Sequence, residues 1–275
     1  MQKESYNMEK NYSLKQIVIT GSTRGIGYGL ADAFLERGCS VTISGRNQET
    51  VDKAVTSLSK KHDPASILGQ ICDMCQPQQV KTLWDAVVSS FGKIDVWINN
   101  AGQSGPQQLV WKVAAQQAKE VIETNVLGVI YGSKTALEGM LKQGHGSLYN
   151  MEGMGSDGRK HNGLTLYGTS KYALTYFTDC LVNETKGTPL IIGAIRPGMV
   201  ATELIKGQFA DKPEEWERTK HIFNMLAERV EVVTPWLADR ILANQKTGQR
   251  IIYMSTGRMM KRMLSMPFKK RNIFN

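Results

Sequence analysis

Tyr167 and Lys171 stand four residues apart in a segment, Leu166 to Thr185, that reads as a helix, so their side chains share one helix face. A phenol is a weak acid, with an ordinary pKa of ~10, and a neighbouring ammonium favours its ionised form. Such a pair can give a proton to an oxygen or take one from it. The spacing alone is common on helices, so its company decides what it is worth. That company begins with Thr20-Gly21-Ser22-Thr23-Arg24-Gly25-Ile26-Gly27, placed between a short apolar run and a helical pattern. Gly21 permits a tight turn, Gly25 lets backbone approach a pyrophosphate, and Gly27 lets the helix pack close to the strand. The helix N-terminus then offers free N–H groups to phosphates. This is a dinucleotide cradle, drawn from Gly21, Ser22, Thr23, Arg24, Gly25, Ile26 and Gly27. At the end of the second strand, where recognition of a ribose 2′-hydroxyl wants an Asp or Glu, the sequence has Ser44-Gly45-Arg46-Asn47. Arg46, with Arg24 as a second clamp and Ser44 as a donor, suits a 2′-phosphate, which predicts NADP(H) over NAD(H).

These groups need a scaffold, and the chain alternates strand and helix almost throughout. Gln16–Thr20, Ser40–Ser44, Ser66–Cys72, Ile94–Asn99, Gly146–Met151, Leu190–Arg196 and Arg250–Tyr253 read as strands, several apolar on successive positions as if covered on both faces. Helical patterns lie between them, including a long one from Ala114 to Leu141. The expected fold is α/β: a single-domain Rossmann fold, a doubly wound parallel sheet of about seven strands with helices on both faces. Residues 15–256 form this domain, preceded by an extension, 1–14, and followed by a basic tail, 257–275. The segment 202–243 is polar, aromatic and helical, and is expected to be an insertion forming a substrate lid, with Leu204, Ile205, Phe209, Trp216, Ile222, Phe223 and Met225 facing an apolar substrate.

The 275 residues carry a formal charge of +9, but six bases and no acids fall between Gly257 and Asn275. The basicity is therefore a tail property, and nucleic acid is not expected as a partner. The tail mixes its bases with Met259, Met260, Met263, Leu264, Met266 and Phe268, which leaves open a membrane-surface contact, a subunit interface or simple solvation. No apolar run approaches the ~20 residues of a membrane span. Cys39, Cys72, Cys75 and Cys180 are expected to be reduced, as in a cytoplasmic protein, and His62, His145, His161 and His221 have no metal-ligand spacing, so no metal is expected.

Four motifs in order, Thr20–Gly27, Asn99-Asn100-Ala101-Gly102, Tyr167-Gly168-Thr169-Ser170-Lys171 and Pro197-Gly198-Met199-Val200-Ala201-Thr202, resemble the short-chain dehydrogenases/reductases over about Lys15 to Tyr253. The resemblance implies hydride transfer between a nicotinamide cofactor and a carbonyl or alcohol, with Tyr167 as acid/base and Lys171 also holding the nicotinamide ribose. By the same resemblance Asn125 positions Lys171 through water, and Asp73 contacts adenine. Asn99 and Ala101 line the adenine side, Gly102 is a further cofactor-binding residue, and Pro197, Gly198, Val200 and Thr202 flank the nicotinamide. It also implies a small-molecule substrate and a homodimer or homotetramer.

One departure stands out. The family places a catalytic serine about 13 residues before the tyrosine, where this chain reads Asn150-Met151-Glu152-Gly153-Met154-Gly155-Ser156-Asp157-Gly158. Ser156 is the nearest hydroxyl and is expected to serve; Glu152 or loop N–H groups are the alternatives. That loop is similar to the chlorophyll(ide) b reductase branch, which reduces a formyl group on a tetrapyrrole with NADPH. Without a plastid-targeting extension, a cytoplasmic, bacterial-type homologue is expected. The missing serine also leaves a second class of function, a catalytically silent NADP(H)-binding sensor or scaffold.

Overall fold

The computed structural model describes residues 15–203, 213–265 and 273–274. The extension 1–14, the lid residues Leu204, Ile205 and Phe209, and the tail residues Met266, Phe268, Lys269, Lys270 and Arg271 lie outside them, as do the side chains of Ile222 and Met263.

Seven strands, β1 (Gln16–Ile19), β2 (Ser40–Gly45), β3 (Ile67–Ile71), β4 (Val96–Asn99), β5 (Gly146–Met151), β6 (Leu190–Arg196) and β7 (Gln249–Ile252), form one sheet. All pairings are parallel, in the order β3-β2-β1-β4-β5-β6-β7. β5 and β6 have the expected boundaries, and those of the other strands differ by one or two residues. The helices are α1 (Gly25–Leu35), α2 (Gln48–Ser59), α3 (Pro77–Phe91), α4 (Ala115–Ile122), α5 (Gly128–Gln143), α6 (Thr165–Glu184), α7 (Pro213–Leu226), α8 (Val230–Ala243) and α9 (Thr256–Ser265).

Alternation of side chains along each strand divides the core. Ile17, Ile19, Val41, Ile43 and Ile98 pack with Leu30 and Phe34 of α1 and with Leu237 and Ile241 of α8 on one face. Val18, Trp97, Leu148 and Ile192 pack with Leu83 and Trp84 of α3 and Met140 of α5 on the other. Each large side chain so buried contributes roughly 1.5–3 kcal/mol, which fixes the sheet that carries the site. The chain order reverses between β1 and β4, and ligands of open α/β sheets bind in the crevice at such a switch point.

Two expectations are corrected here. The segment 202–243 is not one lid: its second half is α8, whose Val233, Leu237, Ala238, Ile241 and Leu242 are buried in the core, because a parallel β6–β7 connection needs a crossover helix on the sheet. The tail is not merely solvated. α9 and the Ile273–Phe274 pair both dock on the chain's own α7 region.

Candidate active site

The β1–α1 turn builds one end of a cleft of about 950 Å³ at the switch point. Gly21 has φ of 62°, and a Cβ there would meet Ala101 Cα at 2.8 Å, so only glycine lets the turn lie this close to the loop after β4. A Cβ on Gly27 would stand 2.5 Å from Asn100 Nδ2 and 2.6 Å from Gly21 O, which supports the close-packing role. Arg24, in extended conformation, caps α1 without a side-chain bond, and the first turn holds no acid. The opening of α1 therefore presents backbone N–H groups and a positive dipole end to an anion. Gly21, Thr23, Arg24, Gly25, Ile26, Gly27, Arg46, Asp73, Ala101 and Gly102 all line the cleft, as do Pro197, Gly198, Val200 and Thr202 on its far wall.

Arg46 directly follows β2, and the next residue, Asn47, caps α2 with its side chain by accepting from Thr50 N at 3.0 Å. Asn47 and Thr50 also line the cleft, beside Gly45. Cation, cap and hydroxyl are thus gathered at the end of β2, with no carboxylate among the residues that line the cleft there.

Tyr167 and Lys171 enter from α6. The Lys171 ammonium lies 5.8 Å from the Tyr167 ring centroid and donates to Met151 O at 3.0 Å. Burial pushes the Tyr167 phenol up to about 12. Burial also pulls Lys171 down to about 8, against the opposing pull of Glu152. The expected lowering of Tyr167 by Lys171 is thus outweighed by desolvation in this geometry, where the ammonium sits over the ring face. Asn125 lies in a π-turn, Glu123–Leu127, between α4 and α5, so the long helix expected from Ala114 is interrupted there. Such bulges often mark functional sites. Fully buried, Asn125 accepts from Gln103 N and donates to Gln103 O, each at 2.8 Å, and donates to Ser170 Oγ at 2.9 Å. A Cβ on Gly102 would meet Asn125 Oδ1 at 3.2 Å and Lys171 Nζ at 3.6 Å, so the three converge.

Four side chains are not where the sequence placed them. Ser22 is buried: its hydroxyl donates to Ile19 O at 2.6 Å and accepts from Ser44 N at 2.9 Å, bracing the turn. Ser44 is fully buried and does not line the cleft, because β2 is covered on both faces along Val41–Ser44. Asn99 donates to Ser133 and Asn150 and accepts from Trp97 Nε1 inside the sheet; its neighbour Asn100 lines the cleft instead. Ser156, only 1% exposed, accepts from Gly153 N at 2.9 Å and donates to Lys171 O at 3.3 Å, so its hydroxyl staples the loop to α6. Glu152 is no substitute: its carboxylate is ion-paired with Arg196 at 2.6 Å and Arg250 at 3.1 Å.

The cleft also takes in Lys160, His161 and Asn162. They lie on the stretch just before α6, and their only sequence signal is the short distance to Tyr167. Of the expected lid residues, Phe223 of α7 lines the cleft.

A doubly wound sheet with a phosphate cradle and a Tyr–Lys pair in one crevice defines a nicotinamide-dependent oxidoreductase. The short chain dehydrogenase family model matches residues 15–213, and the chain belongs to that family. Among its relatives is the chloroplastic chlorophyll(ide) b reductase NOL of Oryza sativa subsp. japonica, 34% identical over 88% of this chain and 71% of that protein. The probable chloroplastic chlorophyll(ide) b reductase NYC1 of Arabidopsis thaliana is 31% identical over 90% of this chain, which spans about half (52%) of that relative. Solved neighbours include an actinorhodin polyketide ketoreductase with NADPH, with a TM-score of 0.78 and 25% identity over 87% of this chain and 95% of that one. ElxO with NADP bound has a TM-score of 0.77 and 25% identity over 90% and 99%. The expectation of a cytoplasmic protein is overturned by these plant relatives, which are chloroplastic. Among the described residues no helix is long and apolar enough to cross a membrane.

Proposed function

We propose that the protein reduces a carbonyl to an alcohol with NADPH, and that its substrate is large and flat, a formyl-bearing tetrapyrrole first among the candidates. The observation that carries this is the sharing of one cleft by the glycine turn, Arg24 and Arg46 at one end and by Tyr167 and Lys171 further along. The chlorophyll(ide) b reductases among the relatives, and the NADP(H)-bound neighbours, support the substrate and the cofactor.

The residues fit the dinucleotide: a cradle that a Cβ would fill at Gly21, a bare helix N-terminus, and two guanidinium groups for the 2′-phosphate. When bound, NADPH supplies the hydride for the carbonyl carbon. Tyr167, held protonated by burial, donates its hydroxyl proton to the carbonyl oxygen as that oxygen gains charge. Lys171, anchored on Met151 O, is placed to stabilise the phenolate left behind. Asn125 braces the Gln103 loop and Ser170, and so fixes the walls on either side of Lys171. Self-association into a homodimer or homotetramer is part of the proposal, and sedimentation measures it directly.

The test is NADPH oxidation followed with chlorophyllide b and a panel of aldehydes and ketones. Tight NADPH binding with no turnover of any of them would favour the second proposal, a silent NADP(H)-binding protein, to which the committed Ser156 hydroxyl lends support.

A further inference from the structure

Helix α7 carries one wall of the cleft through Phe223, and the end of the chain folds back onto it. Phe274 is 2% exposed. Its ring meets Trp216 edge-on at 5.2 Å and Phe223 at 6.2 Å, while Trp216 and Phe223 lie 5.6 Å apart. The backbone N–H groups of Ile273 and Phe274 both donate to Asn224 Oδ1, each at 2.8 Å. Asn224 neighbours Phe223, so one side-chain oxygen ties the returning segment to the residue beside the wall. Arg262 of α9 adds a second tie. It donates to Leu226 O at 2.7 Å, capping the end of α7, and pairs with Glu228. Glu228 bonds through its backbone to Met199 and Ala201, on the strip that forms the far wall of the cleft.

We propose that the Ile273–Phe274 segment is a strap that fixes the substrate wall: through Asn224 and the Trp216–Phe223–Phe274 ring cluster it holds Phe223 in the cleft and tightens binding of the carbonyl substrate. Asn224 and Phe274 are positioning and specificity residues, since neither lines the cleft itself. The consequence for substrate rests on the function proposed above; the strap itself does not. Edge-to-face ring pairs add about 0.5–1.5 kcal/mol each beyond the area they bury, so losing one ring of three loosens α7 without unfolding the sheet.

The test uses the full chain and four forms: wild type, Phe274→Ala, Asn224→Leu and Asn224→Asp. Asn224→Asp keeps an acceptor oxygen for the two N–H donors; Asn224→Leu removes it. Hydrogen exchange is expected to rise in α7 for Phe274→Ala and Asn224→Leu, to stay unchanged in α1 and β1, and to remain near wild type for Asn224→Asp. With chlorophyllide b as probe, KM is expected to rise about tenfold in the first two, equivalent to about 1.4 kcal/mol, with kcat and NADPH affinity within twofold. Unchanged α7 exchange in Phe274→Ala overturns the strap. An exchange increase spread over the whole sheet, or NADPH affinity lost in step with KM, also overturns it. If the wild type turns over no carbonyl, the proposed function fails while the exchange data still decide the strap.

Discussion

A Cβ built on Gly153 would stand 2.5 Å from the Tyr167 hydroxyl oxygen. The backbone of the loop after β5 therefore passes so close to the proposed acid that no side chain fits between them. Any larger residue at this place must push the Tyr167 hydroxyl or the loop aside.

We predict that Gly153→Ser lowers activity although it brings a hydroxyl into the loop where the family carries its serine. The new Cβ forces Tyr167 or the loop aside, and misplacement of a reacting group by about 1 Å can cost about 100-fold. Steady-state kinetics with NADPH should show kcat falling by about that factor while NADPH affinity holds. A kcat equal to or above wild type would show that Tyr167 has room the structure does not give it.

Tyr167→Phe should leave the ring packed and remove the only proton it can transfer. Turnover is expected to fall by about 10²–10⁴-fold, the usual contribution of a positioned general acid. NADPH titrated by fluorescence should bind as before. Retention of a tenth of wild-type turnover would assign the proton to another group.

Ser156→Ala is expected to act on stability more than on chemistry. The hydroxyl accepts from Gly153 N and donates to Lys171 O; its loss strips Gly153 N of its acceptor, whereas Lys171 O keeps the Thr175 hydroxyl. An unsatisfied buried group costs about 1–3 kcal/mol, which thermal melting will register. kcat should fall less than tenfold. A drop of 100-fold with an unchanged melting temperature would mean that the hydroxyl reaches substrate after all.

What the sequence could and could not reveal follows from what each signal reports. Apolar runs and glycine turns are set by local backbone demands, so the seven strands and the Gly21–Gly27 cradle were legible. The burial of Ser44 and Asn99 away from the cleft was harder to read, because a motif names positions and not what covers each side chain. Ser156 was chosen by chemical type alone, and the loop spends its hydroxyl on Gly153 and Lys171. Phe274 could not be reached from periodicity: its partners Trp216 and Phe223 are some fifty residues away in sequence, joined only by the fold.

Arg46→Asp should weaken NADPH more than NADH. It replaces a guanidinium beside the 2′-phosphate position with a carboxylate, converting attraction into repulsion. Loss of one charge-assisted hydrogen bond, worth about 1.5–3 kcal/mol, corresponds to at least a tenfold weaker NADPH affinity. Parallel titrations of the two reduced cofactors measure the change. Equal losses for both would place Arg46 outside the phosphate site and leave the selectivity to Arg24.

The Lys171 ammonium gives a prediction about stability against pH. In the folded protein burial draws its pKa from 10.5 down to about 8. The unfolded chain keeps the ordinary value, so between pH 8 and 10.5 it binds more protons than the folded one. Stability from this group therefore rises with pH across that window, and below pH 8 the full cost of burying the charge is carried. Lys171→Met removes the cost, so the variant should melt higher than wild type at pH 7, even though it is expected to be inactive. For a chain of this size each 1 kcal/mol moves the melting temperature by about 2–4 °C. The advantage should shrink as pH is raised from 8 towards 9.5. Tyr167 does not confuse the comparison in that range, because its folded value is raised to about 12 and its effect begins only above pH 10. The Met151 carbonyl, which loses its donor in the variant, lowers the melting temperature equally at every pH and so leaves the trend intact. A difference between variant and wild type that stays constant from pH 7 to 9.5 would mean that Lys171 titrates near its ordinary value, and that the cleft is wetter than its burial indicates.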